Sequence, residues 1–290
     1  MKKPLFNKIC IVGVGLIGGS LGMAIKRRKL AKLVIGVVRK KSTAEEAMRK
    51  HALDVALFDL NEGVNGSDLV VLCAPVGTIL RQIGQIGRHL GAKTVVIDVG
   101  SSKSEICKAA GKLWGQTPLT PRAKRKGSEG SDPRPTFVGC HPMAGSEKCG
   151  VEFAEENLFE DSVCFMTSRH AGVESLWKAV GATPRFVTAE AHDRLVAKCS
   201  HVPHALAFSL FQSGSDLPFA SNPSLRALAR LAKSSPEIWS EIFVTNKGPV
   251  VRALEAIQRD LKAFTRAVAS SDAKKIRAFI ARANAISSKY

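Results

Sequence analysis

Residues 9–22 read Ile-Cys-Ile-Val-Gly-Val-Gly-Leu-Ile-Gly-Gly-Ser-Leu-Gly. Four apolar residues, Ile9 to Val12, predict a buried strand, and Gly13, Gly15 and Gly18 follow it at the G-x-G-x-x-G spacing. Gly13 permits the tight turn out of the strand. Gly15, with no Cβ, admits a pyrophosphate to the backbone, and Gly18 lets the next helix pack closely on the sheet. The first N–H groups of that helix, at Leu16 and Ile17, then face phosphate oxygens at the positive end of the helix dipole. A strand before it and a helix after it make this spacing a dinucleotide site rather than a chance glycine-rich turn.

The 290-residue chain is 45% hydrophobic and 23% charged, a globular balance with room for two cores. Met1-Lys2-Lys3 and the uncharged run 9–25 have the outline of a secretory signal. Five glycines interrupt that run and Lys26-Arg27-Arg28-Lys29 follows it, so neither an export signal nor a membrane span is expected. Seven cysteines (10, 73, 107, 140, 149, 164 and 199) are scattered with no C-x-x-C pair. That pattern opposes a disulfide framework and a structural zinc; no metal is expected, and the cytoplasm is the expected compartment. The net charge of +18 fits a solvated basic surface, a nucleic-acid partner or attraction of small anions. Aromatic residues are only 6% and do not interleave the basic runs, which disfavours a stacking platform for nucleic acid. An anionic cofactor and a small anionic substrate would use part of the charge.

Further strands are predicted at 33–38, 68–74, 94–99, 136–140, 163–167 and 185–187, alternating with helical segments at first. The pattern predicts an α/β domain with a parallel, doubly wound sheet over residues 1–189, its ligands beyond the C-terminal strand ends. The second strand ends without the acidic residue that would hold a ribose 2′-hydroxyl. Arg39-Lys40-Lys41-Ser42-Thr43 stands there instead, and Arg39 with Ser42 suits a 2′-phosphate. NADP is therefore favoured, with NAD the alternative if these side chains are merely exposed. Ser101 and Lys103 follow the 94–99 strand at the same end, where they line the site or cap the helix starting near Ser104. Residues 115–135 are rich in Pro, Gly, Ser and basic residues and read as a surface loop. His141 precedes Pro142 and is expected on a turn at the mouth of the sheet, a candidate acid/base.

From Thr188, a predicted cap, residues 190–290 read as all-helical. A first helix to about Phe211 places His192, Ser200 and His204 within roughly 120° of one another, with His201 pointing further round. They form a site wall or a solvated stripe, and Pro203 is expected to kink the helix. Ser235-Pro236-Glu237 predicts a helix start. Val250, Leu254, Ile257, Leu261, Phe264 and Val268 form a seam that packs within the chain or against a second copy, and a homodimer through this half is expected. Ser270-Ser271-Asp272 should break and recap before a last helix.

Gly13–Gly22, Asp98–Lys103, Gly139–Glu147, His192-Asp193, Ser200-His-Val-Pro-His204 and 230–239 (Arg-Leu-Ala-Lys-Ser-Ser-Pro-Glu-Ile-Trp), in this order, resemble the prephenate/arogenate dehydrogenase family of tyrosine biosynthesis. The resemblance implies a Rossmann-type doubly wound sheet followed by an all-helical C-terminal dimerisation domain. It implies hydride transfer to NAD(P)⁺ with loss of the ring carboxylate as CO₂. His141 would take the hydroxyl proton and Ser101 would orient that hydroxyl. Arg230 would bind the substrate carboxylate, His204 and Ser200 would line the side-chain end, and Trp239 would close the pocket. Ser224-Leu-Arg-Ala227 departs from the family's usual Gly-Phe-Arg-Asp-like stretch, which leaves prephenate and arogenate both open. No room for an appended effector domain is expected after the last helix, so any tyrosine inhibition would act at the active site. Two other readings stay open: a β-hydroxyacid-type dehydrogenase, although its helical-domain lysine has no evident counterpart, and a basic nucleic-acid-binding or cofactor-sensing protein without turnover.

Overall fold

A computed structural model describes residues 3–114, 135–146, 148–214 and 222–288. All of the predicted 115–135 loop except Pro135 lies outside them, as does Glu147. Strand β1 (Phe6–Val12) enters the glycine turn and helix α1 (Leu16–Arg27) leaves it. There follow β2 (Ala31–Val37), α2 (Lys41–Arg49), β3 (Val55–Leu57), α3 (Leu60–Val64), β4 (Leu69–Leu72) and α4 (Val76–Ile86). Next come β5 (Val95–Asp98), α5 (Ser104–Trp114), β6 (Thr136–Pro142), β7 (Val163–Met166), α6 (Ala171–Ala179) and β8 (Thr183–Phe186). The short β3, α2 and α3 carry too little apolar periodicity to be read from sequence.

The eight strands lie in one sheet in the order β3-β2-β1-β4-β5-β6-β7-β8. Side chains alternate across it. Ile9 and Ile11 of β1 face a core completed by α1, α2 and α6, while Cys10 and Val12 face one completed by α3, α4 and α5. Covering on both faces explains why β1, β4 and β5 read as continuous apolar runs. The pairing is parallel from β3 through β6, but β7 runs antiparallel to β6, with His141 opposite Phe165. That adds one reversed strand to the expected parallel, doubly wound sheet. The structure corrects the place of His141, which lies within β6 and not on a turn after it.

After β8 come α7 (Ala189–Val196), a turn of π-helix (Ala197–His201), α8 (Val202–Ser213), α9 (Pro223–Ala232), α10 (Pro236–Thr245), α11 (Lys247–Ala269) and α12 (Ala273–Ser287). Thr188 caps α7 by accepting from Ala191 N, Ser235 caps α10 and Asp272 caps α12, as their sequences predict. The expected single helix to Phe211 is instead broken by the π-turn. Pro203 has no N–H to give the carbonyl one turn back, and the backbone widens just ahead of it. This half buries little. Neither α9 nor α12 holds a fully buried side chain, and α10 buries Ile242 alone. No helix among the described residues is long and apolar enough to cross a membrane.

Candidate active site

The glycine turn forms one end of the site. Gly13 has φ +94°, and a Cβ there would lie 2.6 Å from the Cys73 carbonyl oxygen. Over Gly15 a Cβ would meet nothing within 4 Å, so the space above the backbone is open. Gly15 is the N-cap of α1 and supplies no side-chain cap, leaving the first N–H groups, at Leu16 and Ile17, for a ligand. At Gly18 a Cβ would collide with the Gly13 carbonyl, so these residues close the turn. This cradle fits a dinucleotide diphosphate. Past β2, Arg39 is exposed, and Ser42 lies in the first turn of α2 rather than in a loop. That turn contains no acidic residue, and its N-cap, Lys40, makes no side-chain cap bond.

At the C-terminal end of the central strands, one chain of hydrogen bonds joins the two halves. His141 Nδ1 lies 2.8 Å from His192 Nε2, and His192 Nδ1 lies 2.9 Å from Asp193 Oδ1. The bonding partners set the tautomers. A carboxylate only accepts, so His192 Nδ1 carries the proton and its Nε2 is a bare acceptor. His141 must then donate from Nδ1, which leaves its Nε2 free to take a proton. Burial holds His141 well below the ordinary histidine range, and nearby His192, Lys103 and His201 push the same way. The half-buried ring is thus a neutral base at physiological pH. Burial also lowers His192, against the pull of Asp193. Asp193 itself is held down by donors: His192, and the backbone N–H groups of Lys103 and Ser104 at 2.7 and 2.8 Å. Its carboxylate therefore caps α5, the task the sequence left open for Ser101. Ser101 follows β5 at the same strand end and is half-buried.

The π-turn brings in a residue that helical spacing had pointed away. His201 is buried, and Asn246 Nδ2 donates to its Nδ1 at 3.1 Å. Its position depends on the π-turn, which rotates everything after it relative to a regular helix. Burial pushes its imidazole down to about 4. His204 donates from Nδ1 to the Ser200 carbonyl at 2.9 Å and stacks on Trp239 of the same chain, ring centres 3.7 Å apart. Arg230 is near enough to depress His204 further, after the larger effect of burial. Ser200, His204, Trp239 and Arg230 therefore form one group beside the histidine chain. The sequence reading took His192 as part of a wall; it is fully enclosed and holds the base. Its signal was adjacency to Asp193, a carboxylate one residue on.

Two further bonds latch the halves together. Glu241 Oε2 accepts from the Gly77 N–H at the start of α4, at 3.0 Å. Thr245 gives its hydroxyl proton to the Glu241 carbonyl, so Ser102 donates to Thr245 at 2.8 Å.

Comparison with known proteins agrees with this layout. A family described as "Prephenate dehydrogenase, nucleotide-binding domain" matches residues 21–134 and 124–183, and "Prephenate dehydrogenase, dimerization domain" matches 188–282. The chain is 29% identical over 287 residues to the prephenate dehydrogenase of Bacillus subtilis, covering 93% of this chain and 72% of that protein. It shares its fold with prephenate dehydrogenase from A. aeolicus, solved with hydroxyphenyl propionate and NAD⁺, at TM-score 0.84, 24% identity and 98% of both chains. Synechocystis arogenate dehydrogenase is 27% identical at TM-score 0.77, with 98% of this chain and 99% of that one covered. With both halves matched in order and most of its length accounted for, the chain belongs to the prephenate dehydrogenase family.

Proposed function

We propose that this chain converts prephenate to 4-hydroxyphenylpyruvate and CO₂ and prefers NADP⁺ over NAD⁺ as the oxidant. The enzyme is an NAD(P)-dependent oxidoreductase acting on prephenate or arogenate. The observation that carries the mechanism is the Asp193–His192–His141 chain, which leaves one ring nitrogen bare beside the strand ends. Bound NAD(P)⁺ would supply the hydride acceptor, its diphosphate held by Gly13, Gly15, Leu16, Ile17 and Gly18.

His141 Nε2 takes the ring hydroxyl proton, because a carbinol releases hydride readily only as its proton leaves. The imidazolium so formed keeps its Nδ1–H on His192, and Asp193 stabilises the developing charge through that ring. Ser101 orients the hydroxyl. The electron pair of the broken carbon–carboxylate bond makes the ring aromatic as CO₂ departs, and His141 returns its proton to the phenolate oxygen. Arg230 grips a substrate carboxylate with two parallel donors, a geometry lysine lacks. Ser200 and His204 line the side-chain end and Trp239 closes over it. Alignment and proton transfer are the protein's tasks, since aromatisation drives the loss of CO₂.

The cation beside His204 favours the keto acid prephenate, because arogenate adds an ammonium that Arg230 repels. The second reading, arogenate, rests on His204 itself: with Nδ1–H given to Ser200, its Nε2 is an acceptor for an ammonium. For the cofactor, Arg39, Ser42 and the uncapped start of α2 favour a 2′-phosphate. Residues 1–189 are taken as the nucleotide-binding domain and 190–290 as the helical domain of a cytoplasmic homodimer. The test supplies prephenate and arogenate, each with NAD⁺ and NADP⁺, and follows reduced nicotinamide and CO₂ together. Prephenate with NADP⁺ should give the highest kcat/KM; reduced nicotinamide without CO₂ would sink the reading.

A further inference from the structure

Lys103 stands two residues after Ser101, yet it is completely enclosed. Its ammonium pairs with Asp98 and donates to the Cys140 carbonyl at 2.8 Å. Asp98 accepts from the Gly100 N–H at 2.8 Å and, through its other oxygen, from the Cys140 N–H at 3.3 Å. The position of these bonds matters. Strand β5 ends at Asp98, and its last rung to β6 sets Asp98 opposite Gly139. One residue further, Cys140 turns both its N–H and its C=O toward the side where β5 has stopped, and two buried backbone groups would go unpaired. The ion pair supplies an acceptor for one and a donor for the other, continuing the ladder by one rung with side chains. The residue that this rung delivers is His141.

Lys103 also acts from behind the base. Its backbone N–H, with that of Ser104, holds the Asp193 carboxylate that orients His192 and, through it, His141. A closed ring of bonds thus runs from Lys103 through Cys140, His141, His192 and Asp193 back to Lys103. A buried ion pair adds little net stability over well-packed apolar side chains, but an apolar pair offers Cys140 neither donor nor acceptor. We propose that Lys103, paired with Asp98, is a positioning residue for the His141 base: it sets the backbone that carries the ring and fixes the carboxylate that orients it. The proposal rests on the reading of His141 as the base. Among the described residues, the charged and titratable groups around that ring are His192, His201 and Lys103, with Asp193 behind His192, Asp98 behind Lys103 and the Cys164 thiol on the His141 backbone. Lys103 is among those that keep His141 uncharged.

The test is the Lys103→Met/Asp98→Asn enzyme, in which both charges go together and no lone buried charge is left. Folding and cofactor affinity are checked first, then kcat, and then the titration of the His141 Cε1–H by NMR in the cofactor-free protein. The expected result is a kcat lower by roughly 10–10²-fold, in line with a misplacement of about 1 Å, with the KM for the cofactor unchanged. The His141 titration should move up toward the ordinary 6.5. A purely structural pair would lower thermal stability, move the titration only through the lost Lys103 charge and leave kcat at the wild-type level; a folded double variant with wild-type kcat, or with an unmoved titration, overturns the proposal. If the double variant does not fold, Asp98→Asn alone, nearly isosteric, must still lower kcat, and a wild-type kcat there is equally fatal. The titration needs no turnover, so an unmoved His141 in the double variant overturns the proposal even if the wild type proves inactive on both substrates.

Discussion

The sheet half and the helical half bury their apolar side chains in different ways. In the sheet, Ile9, Cys10 and Ile11 of β1 and all of β4 are wholly enclosed by helices of the same chain. In the helical half, Val244 is 73% exposed, Ile286 61%, Val268 51% and Leu261 50%. Scattered exposed leucines are ordinary, but here Leu261 and Val268 of the predicted seam lie open, while Val250 is buried and Leu254, Ile257 and Phe264 are half-buried, and neither α9 nor α12 holds a fully buried side chain. The first half has a closed core with exposed apolar side chains such as Phe58 and Leu113 only outside it, and the second has exposed apolar side chains around a small core. Covering each such side chain contributes roughly 1.5–3 kcal/mol, the stabilisation that a second copy of the helical half would supply in the proposed homodimer. His141, the proposed base, sits where the two halves meet, carried by the sheet and bonded to His192 of α7.

The junction gives the largest expected effect. His141→Asn keeps size and some hydrogen bonding but accepts no proton, and kcat should fall by roughly 10²–10⁴ with cofactor affinity little changed. A near-normal kcat would remove His141 from its role. The difference in burial is broken next: Val244→Glu with Leu261→Glu leaves the sheet core untouched and puts charge on the exposed apolar side chains of α10 and α11. Sedimentation should show a monomer, with dimer dissociation raised by about 10²-fold or more, since a desolvated unpaired charge costs several kcal/mol. A stable dimer of that variant would place the interface elsewhere. Arg230→Ala should raise the substrate KM by about 10–10²-fold with a smaller change in kcat, through loss of one charge-assisted contact. Arg226, one turn earlier and exposed, is the control; a larger effect there would show that the wrong arginine was assigned. The smallest effect lies in the sheet half alone. NADP⁺ should be preferred by roughly tenfold, and Arg39→Asp should reverse the preference by repelling the 2′-phosphate. Equal kcat/KM for both cofactors, unchanged in that variant, would discard Arg39.

Sequence legibility followed the same division. Gly13 and the enclosed strands were readable because a tight turn and a two-sided sheet leave direct marks, glycine at fixed spacing and unbroken apolar runs. Caps at Thr188, Ser235 and Asp272 were readable because they act on N–H groups two or three residues away. The positions of His141 and His201 were not. His141 stays in a strand because β7 pairs with it from 24 residues on, and antiparallel pairing at that range leaves no local signal. His201 turns inward through a π-turn, which shifts all later positions against the regular helical period. Lys103 looked like a site lysine because lysines are seldom enclosed; its burial depends on Asp98 and on a carbonyl supplied by β6.

The pH dependence of kcat/KM tests the central claim most directly, because it reports the free enzyme's own base. A half-buried histidine between the sheet and the helical half, beside His192 and Lys103, is held well below the ordinary 6.5. Its protonation should therefore cost activity only in the acid range. The account predicts a kcat/KM that is level from neutral pH down through 6.5 and falls only below it, with that acid limb absent from His141→Asn. An acid limb centred at or above 6.5, or one that persists in His141→Asn, would contradict it.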